Sequence, residues 1–396
     1  MSISVSIGLS TEKNALLAAQ LAARQALLNL REPNASLAIV FSSVEFARDE
    51  ILAAIADIVE PAPIVGCSSL AVISNQGIFK YGILIALFSL PEGIYLNVAC
   101  SEEIDSKPAL EAGRELGDKL LYGFRNIRRD FAVIFSDGLM RDGNGMLEGL
   151  QERLGTSFPL LGGSASDDLS FEKTYVYFNR KVSSHGACGI LWGGKVNFGL
   201  GIRHGWKPLG KPRYITKSAG NIVYEIDGES ATNVYEEYFA RDLSGLQKDS
   251  KKISTLYPIG IYLPEEQGYL LRNITSIEDN GSLVFQGNVP QGSLIRLMIG
   301  TNDSCLDATK EALEEAGKNL AQRHVDFLLV FESASRYRIL GRQIKEELQL
   351  IENKLGKNIP VFGIYTYGEQ APLRAINYQG KAYFHNQTVA LLAAGA

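Results

Sequence analysis

The stretch Pro360–Thr388, which reads PVFGIYTYGEQAPLRAINYQGKAYFHNQT, decides how the rest of the chain is interpreted. It begins as an apolar strand and reaches Gly363, where the missing Cβ atom permits a turn or a close approach of the backbone. The residues that follow combine aromatic rings with polar groups: Tyr365, Tyr367, Glu369, His385 and Asn386. We expect these side chains to be displayed rather than packed.

The composition is that of a soluble globular protein. The chain has 396 residues, enough for two or three domains, and is 46% hydrophobic and 21% charged. Its formal net charge of −5 provides no positive field for a phosphate backbone, so we expect no nucleic-acid partner.

The sequence also indicates a cytoplasmic protein without membrane insertion. The N-terminus carries no signal-peptide pattern, and the longest apolar run, Ile83–Leu90, is too short to cross a bilayer. The four cysteines lie far apart and form no CxxC pair, which argues against a disulfide framework and a zinc site.

One order of elements recurs three times along the chain: strand, helix, strand, helix, strand, strand. The copies run over residues 3–90, 94–192 and 294–394. In each copy a buried strand ends in phenylalanine and a later strand reaches glycine, at Phe41 and Gly66, Phe135 and Gly162, and Phe331 and Gly363. The pattern predicts an α/β fold of mixed-sheet units, with a tight turn at each glycine.

The segment between the second and third copies, from Val196 to Gly292, does not fit the unit. Asp279-Asn280-Gly281 predicts a hairpin in it, and the polar stretch Ser244–Lys252 predicts a flexible linker. We therefore expect two domains. Residues 1–200 would hold two units, 201–245 would connect, and 246–396 would hold the hairpin region and the third unit.

Eight short segments, in this order, resemble the FIST family over nearly the whole chain. The segments are GCSS at 66–69, VIFSDG at 133–138, LLGGSASDD at 160–168, HGWKPLG at 204–210, YEIDG at 224–228, LLVFESASR at 328–336, YGE at 367–369 and FHNQT at 384–388. At Glu332 the sequence departs from the family, whose members commonly have an apolar or cysteine-containing strand end there. The resemblance covers both the FIST N-terminal and the FIST C-terminal domain.

This resemblance implies an intracellular sensory module for signal transduction that binds small ligands such as amino acids. Some family members bind haem and sense nitric oxide, so the resemblance also makes haem a possible cofactor. The repeat units occupy both ends of this sequence and leave no output domain within it. We therefore expect a separate signalling partner protein.

The candidate ligand site lies where the strands of the units end. In open α/β sheets, ligands bind at the carboxyl ends of the strands, where amides and loop side chains converge. Serine hydroxyls and glycine amides suit a carboxylate, as does a bidentate arginine, while aspartate or glutamate suits an ammonium group. The candidate ligand-binding residues are Cys67, Ser68, Ser136, Asp137, Gly163, Ser164, Arg336, Tyr365, Tyr367, Glu369, His385 and Asn386.

Several of these residues have a structural interpretation as well. A glycine turn needs glycine whether or not a ligand binds, and Asp137 is placed to cap a helix. A haem ligand would come from His185, His204 or His385, although a lone histidine more often forms a structural hydrogen bond. Cys67 follows a glycine, but no histidine precedes residue 185, which favours a buried thiol over a nucleophile.

The sequence contains no P-loop, no GxGxxG after a strand, no HExxH and no GxSxG motif. We therefore expect a protein that is not an enzyme and has no metal site. The leading hypothesis is a sensor for a small polar, amino-acid-like ligand. The alternatives are a haem-based gas sensor and an interaction scaffold without a ligand.

Overall fold

The computed structural model describes residues 2–32, 34–320, 323–374 and 380–396, except for the side chain of Lys251. Residues 375–379, within the stretch Pro360–Thr388, lie outside that description. The predicted α/β class with mixed sheets is confirmed. Each of the three units folds as a sheet with helices, and a fourth sheet belongs to the inserted segment.

The first two units follow the predicted element order closely. The first comprises β1 (Ser4–Ser10), α1 (Ala15–Asn29), β2 (Leu37–Ser42), α2 (Asp49–Val59), β3 (Ile64–Ser68), β4 (Val72–Ser74), β5 (Gly77–Phe79) and β6 (Ile83–Ser89). The second comprises β7 (Tyr95–Glu102), α3 (Ala109–Leu121), β8 (Arg129–Ser136), α4 (Gly143–Leu154), β9 (Leu160–Ser164), β10 (Val176–Phe178), β11 (Lys181–Ser183) and β12 (Gly186–Gly193).

The third unit is interrupted after its first strand, β13 (Asn197–Arg203). The interruption comprises β14 (Lys207–Ala219), β15 (Ile222–Ile226), β16 (Glu229–Ser230), α5 (Asn233–Phe239), α6 (Leu243–Lys248), α7 (Ser250–Leu256), β17 (Ile259–Leu263), β18 (Gly268–Arg272), β19 (Ile274–Ile277), β20 (Leu283–Phe285) and β21 (Leu294–Ile299). The unit then resumes with α8 (Asn302–Asn319), β22 (Phe327–Ser333), α9 (Ala334–Leu340), α10 (Ile344–Leu355), β23 (Val361–Thr366), β24 (Gly368–Pro372), β25 (Ala382–His385) and β26 (Val389–Gly395).

Two expectations for this region were wrong. Leu294–Ile299 is a strand, but it pairs with β14 and β17 in the inserted sheet, whereas Asn197–Arg203 is the strand that pairs with β26. Both segments read as strands, and only tertiary pairing distinguishes them. Ser244–Lys252 is not a flexible linker, because it lies in α6 and α7. The proposed domain boundaries at residues 200 and 245 stay predictions.

The three repeat sheets exchange hairpins in a cycle. The sheet orders are β1-β6-β2-β3-β10-β11, β7-β12-β8-β9-β24-β25 and β13-β26-β22-β23-β4-β5. Each sheet thus combines four strands of its own unit with a hairpin from another unit. The second unit completes the first sheet, the third unit completes the second, and the first unit completes the third.

The repeated glycines lie inside strands rather than at turns, which corrects the turn prediction. Gly66, Gly162 and Gly363 pair in register with Val40, Ile134 and Val330 across the parallel strands β2–β3, β8–β9 and β22–β23. A Cβ atom at any of these glycines would lie closer than 3.0 Å to the carbonyl oxygen of its paired residue. Glycine is therefore required for close approach of two strands.

The repeated phenylalanines form the centre of the core. Phe41, Phe135 and Phe331 are fully buried, and the ring of Phe135 lies 5.5 Å from that of Phe41 and 5.9 Å from that of Phe331. Residues of all three repeat sheets belong to this one hydrophobic cluster. The repeat pattern therefore marks the position at which the three units meet.

Candidate functional site

The predicted site residues of the first two units are packed beneath the exchanged hairpins. The Ser68 hydroxyl donates to the Ser166 carbonyl oxygen at 3.0 Å and accepts from the Tyr175 amide at 3.0 Å. The Ser136 hydroxyl accepts from the Gln370 amide at 2.7 Å and lies 3.0 Å from the Ser164 hydroxyl. These serines therefore bind the neighbouring unit.

Asp137, Cys67 and Gly163 are also buried. The Asp137 carboxylate accepts from the Leu139 amide at 3.1 Å and from the Thr174 hydroxyl, and burial raises the pKa of Asp137. The helix-cap interpretation of Asp137 was wrong, because Asp142 caps α4. Burial also raises the pKa of the Cys67 thiol, which suits a packed side chain.

The strand ends of the third unit border an open cavity of about 440 Å³, which we call the serine cavity. Ser333 ends β22 and Thr366 ends β23, so the cavity lies at the carboxyl ends of two parallel strands. Its lining comes from the loop after β9, from the insertion and from the third unit: Leu169, Ser170, Phe171, Ser250, Ser254, Thr255, Asn273, Ile274, Thr275, Gln286, Ser333, Ala334, Ser335, Arg338, Thr366 and Tyr367. Eleven of these sixteen residues carry a hydroxyl or an amide in their side chains, and Arg338 is the cation among them.

Tyr367 is the predicted site residue that lines this cavity, and three contacts hold it. Its hydroxyl donates to the Asp167 carboxylate, its ring stacks on Phe171 at 4.3 Å, and its carbonyl oxygen accepts from the Gln286 amide at 2.7 Å. Burial, together with the Asp167 carboxylate, raises the pKa of Tyr367. Tyr367, which belongs to the third unit, thereby contacts both the loop after β9 and the insertion.

Arg336 lies behind the cavity in a buried ionic cluster with Glu332 and Glu347. Its guanidinium contacts the Glu332 carboxylate at 2.6 Å and the Glu347 carboxylate at 2.5 Å. It also donates to the Thr309 hydroxyl at 2.7 Å and to the carbonyl oxygens of His204 and Cys305. A ligand carboxylate would have to displace these contacts to bind Arg336. Glu332 is thus a partner of this arginine.

Glu369 lies behind the same wall and is fully buried. Its carboxylate accepts from the Thr366 hydroxyl on one oxygen, and from the amide and hydroxyl of Thr388 on the other. Burial raises the pKa of Glu369 to about 7, although these hydrogen bonds oppose the shift. Thr366 lines the serine cavity and Thr388 lines a second cavity, so one carboxylate connects the walls of both.

The second cavity, of about 460 Å³, contains both His204 and His385, and we call it the histidine cavity. The Nδ1 atom of His204 accepts from the Trp206 amide at 2.9 Å, so its proton resides on Nε2. The Nε2 atom of His385 lies 2.9 Å from the Ala371 carbonyl oxygen and carries the proton, which leaves Nδ1 as an acceptor. The two rings therefore present one donor and one acceptor.

Both histidines are neutral near pH 7. Burial lowers the pKa of His204 to about 4, and the cations Arg203 and Arg336 add to this shift. Burial lowers the pKa of His385 to about 3, against the opposing effect of its bond to Ala371. His185 lies elsewhere on the surface, with its ring 2.7 Å from Asp105.

Haem fits the histidine cavity poorly. An axial histidine needs an apolar slot around the macrocycle, whereas the residues lining this cavity include Arg203, Lys207, Asp307 and Glu311. The haem alternative stays a prediction, for which a Soret band after addition of haem is the test. Within the described parts of the chain, no three His, Cys, Asp or Glu side chains converge as metal ligands.

The two remaining predicted residues are structural neighbours of the site. Asn386 is buried, where its side chain donates to the His385 carbonyl oxygen at 3.0 Å and accepts from the Asn273 amide at 3.2 Å. Tyr365 is also buried, and its ring packs edge-on against Tyr337 at 5.0 Å. The sequence did not predict that Phe171, Asn273 and Gln286 line the serine cavity. These residues lie in the second unit and the insertion, outside the motifs of the third unit. Arg338 could have been included among the candidates, since it lies two residues after the predicted site residue Arg336.

The two histidines make stability depend on pH. Their folded-state pKa values lie below the unfolded value, so the unfolded chain binds protons first and stability falls as pH drops below about 6.5. When the pH falls from about 7.5 to about 5, each histidine lowers the free energy of unfolding by about 2 kcal/mol. Glu369 has the opposite effect. Because its pKa is raised on folding, its contribution lowers the free energy of unfolding as pH rises from about 4.5 to about 7. Acidification from about pH 7.5 to about pH 5 therefore restores about 2 kcal/mol of that free energy.

We therefore expect acidification over this range to lower the free energy of unfolding of the native sequence by about 2 kcal/mol more than that of His385→Gln, because the variant lacks one of the two buried imidazoles. Urea titrations at the two pH values measure both. His185→Gln, on the surface, serves as the control and should follow the native sequence. Equal pH dependence in His385→Gln and the native sequence would contradict the assignment.

Two family profiles match this chain. The FIST N domain profile matches residues 36–229, and the FIST C domain profile matches residues 231–372. No described helix is both long and apolar enough to cross a membrane.

Among relatives, an uncharacterized protein of Methanocaldococcus jannaschii is 28% identical over 291 residues, which cover 67% of this chain and 54% of that protein. The match thus spans about half of that relative's length. An uncharacterized protein of Mycobacterium tuberculosis is 23% identical over 384 residues, 94% of this chain and 96% of that protein. The structure of PurLQS from Thermotoga maritima covers 99% of this chain and 72% of its own at 10% identity, with a TM-score of 0.21, too low to support an argument.

Proposed function

Because the chain belongs to the FIST family of signal-transduction sensory domains, we propose that it binds a small polar molecule of the amino-acid type in the serine cavity. A separate partner protein would receive the resulting signal. The observation that carries the proposal is the placement of an open, hydroxyl-lined cavity at the carboxyl ends of β22 and β23. Of the three sets of strand ends predicted to bind ligand, this set borders the cavity.

The chemistry of the lining favours one carboxylate and several neutral polar groups. Arg338 supplies a guanidinium, which pairs well with a carboxylate. The oxygens of Ser333, Ser335 and Asn273 suit an ammonium group, which forms three hydrogen bonds in different directions. Leu169, Ile274 and the stacked rings of Phe171 and Tyr367 offer an apolar surface for a side chain.

A ligand in the serine cavity would contact three parts of the molecule at once. Ser254 and Thr255 lie on α7 of the insertion, Ser335 and Arg338 lie on α9, and Phe171 belongs to the second unit. A ligand that contacts all three parts favours the arrangement in which they are closest. This difference in arrangement is what a partner protein would recognise.

Calorimetric titration of the protein with the amino acids and a panel of small carboxylates tests the proposal. We expect at least one ligand to bind and to raise the melting temperature, because binding to the native state stabilises it. Arg338→Gln should weaken that ligand at least about tenfold, since a charge-assisted bond is lost. Arg342→Gln, an exposed arginine that does not line the cavity, is the matched control.

Three outcomes would contradict the proposal. One is the absence of binding across the panel, which would favour the scaffold alternative. Another is a ligand that binds equally well to Arg338→Gln and the native protein. A loss of affinity that is the same in Arg342→Gln would indicate long-range charge rather than contact in the cavity.

A further inference from the structure

Helix α1 exposes a row of leucines. Leu16 is 46% exposed, Leu17 44%, Leu21 47% and Leu28 85%. The face that packs on the sheet consists of alanines: Ala18, Ala19, Ala22, Ala23 and Ala26. The usual arrangement of a surface helix, with large apolar residues inside and polar residues outside, is therefore reversed in α1.

The alanines have a local explanation. Gly8 of β1 lies so close to α1 that a Cβ atom on it would collide with the Ala22 carbonyl oxygen. An approach this close leaves room only for small side chains on the inner face. It does not require leucine on the outer face, where polar residues would be stable.

Helix α8 of the third unit provides an internal comparison. It occupies the equivalent place after the first strand, and Gly199 and Gly201 bring that strand equally close to Ala316 and Ala312. Apart from Gly317, its exposed positions carry charges instead: Asp303, Asp307, Lys310, Glu311, Glu314 and Lys318. The exposed positions of α3 in the second unit are Glu111, Asp118 and Lys119. The leucines of α1 are therefore not demanded by the repeated fold.

We propose that the leucine face of α1 is a homodimer interface, in which α1 packs antiparallel to α1 of a second copy of this chain. The stripe Leu17, Leu21, Arg24, Leu28 advances in steps of four, three and four residues, so it has the same spacing in both directions. An antiparallel pair centred between residues 22 and 23 places Leu17 of one copy beside Leu28 of the other. It also places Leu21 beside Arg24, whose aliphatic stem packs on leucine.

The charges at the two ends of the helix favour this direction. Glu12 and Lys13 precede α1, and Arg31 and Glu32 follow it. Antiparallel packing brings the start of α1 in one copy near the end of α1 in the other. Lys13 then faces Glu32, and Glu12 faces Arg31. Parallel packing would place each of these residues beside the identical residue of the other copy, so that like charges would face each other. It would also align the two helix dipoles in the same direction, which is unfavourable.

The interface is small. A single helix face offers less than the roughly 800 Å² per partner that typical stable interfaces bury, so we expect a dimer that dissociates on dilution. Sedimentation velocity of the full chain, from about 1 to about 200 µM, should show conversion from monomer to dimer in the micromolar range. Leu21→Glu should raise the dissociation constant at least about tenfold, because it places an acidic group in an apolar contact.

Charge exchange tests the direction of packing. Lys13→Glu should weaken the dimer, Glu32→Lys should weaken it as well, and the double variant should regain the native dissociation constant. Glu314→Lys, at an exposed position of α8, is the matched control and should leave the dimer unchanged. Circular dichroism confirms that each variant is folded, which is expected because all these positions are exposed.

A native protein that stays monomeric at the highest concentration would overturn the proposal, and the leucine face would then serve a different partner. A dimer that is unaffected by Leu21→Glu and Leu28→Glu would overturn it too. Failure of the double charge variant to regain affinity would exclude the antiparallel arrangement. None of these outcomes depends on ligand binding in the serine cavity.

Discussion

Replacement of Gly363 by alanine is expected to destabilise the protein by about 3 kcal/mol or more, and to lower its soluble yield. The added Cβ atom would collide with the carbonyl oxygen and with other backbone and side-chain atoms of Val330 on the neighbouring strand. Backbone atoms in the centre of a parallel strand pair cannot move aside without breaking the hydrogen bonds of β22–β23. The whole sheet would have to shift.

Gly317→Ala is the control for this prediction. Gly317 lies in α8, and its Cβ position has no neighbouring atom within 4 Å. Alanine there should stabilise the protein by about 0.5–1 kcal/mol, because it restricts the unfolded chain and favours the helix. Urea unfolding followed by circular dichroism measures both variants. An unchanged transition midpoint for Gly363→Ala would show that β22 and β23 are not as close as described.

Replacement of Arg336 by alanine is expected to cost about 3–5 kcal/mol, since the buried carboxyl groups of Glu332 and Glu347 would lose their cation. The Thr309 hydroxyl and the carbonyl oxygens of His204 and Cys305 would lose a donor as well. Unfolding in urea at about pH 7.5 is the measurement. A loss below about 1 kcal/mol would mean that this cluster contributes little to the fold.

Glu332→Gln separates charge from shape in the same cluster. Burial raises the pKa of Glu332 well above its usual range; the carboxylate of Glu347 acts in the same direction, and the guanidinium of Arg336 opposes it. A neutral amide of the same size fills the same space and keeps an oxygen that accepts from Arg336. We expect Glu332→Gln to change the free energy of unfolding by less than about 1 kcal/mol. A loss equal to that of Arg336→Ala would instead require an ionised Glu332.

The parts of the fold that sequence patterns predicted are those with a local signal. Phe41 and Gly66, Phe135 and Gly162, and Phe331 and Gly363 recur because each unit needs the same core ring and the same close strand contact. The hairpin exchange has no such signal, since the pattern of β4, β10 or β24 is the same whichever sheet it joins. For the same reason Leu294–Ile299 was assigned to the wrong sheet.

The ligand site itself stays a prediction. Ser333 and Thr366 border the serine cavity because they end β22 and β23, where the rule for open sheets anticipates a site, and Tyr367, a predicted site residue, directly follows β23. Arg336 and Glu369 have the polar character of ligand contacts, yet they bind groups of their own chain. Whether a polar residue faces a cavity or a buried partner depends on tertiary neighbours such as Glu347, which lies on another helix.

A crystal structure of the protein with the tightest ligand from the titrations tests whether a small polar ligand binds in the serine cavity. We predict density for that ligand between α7 and α9, with its carboxylate at Arg338 and its polar groups on Ser333, Asn273 and Tyr367. Density in the histidine cavity or on the outer surface, with the serine cavity filled only by water, would contradict the claim.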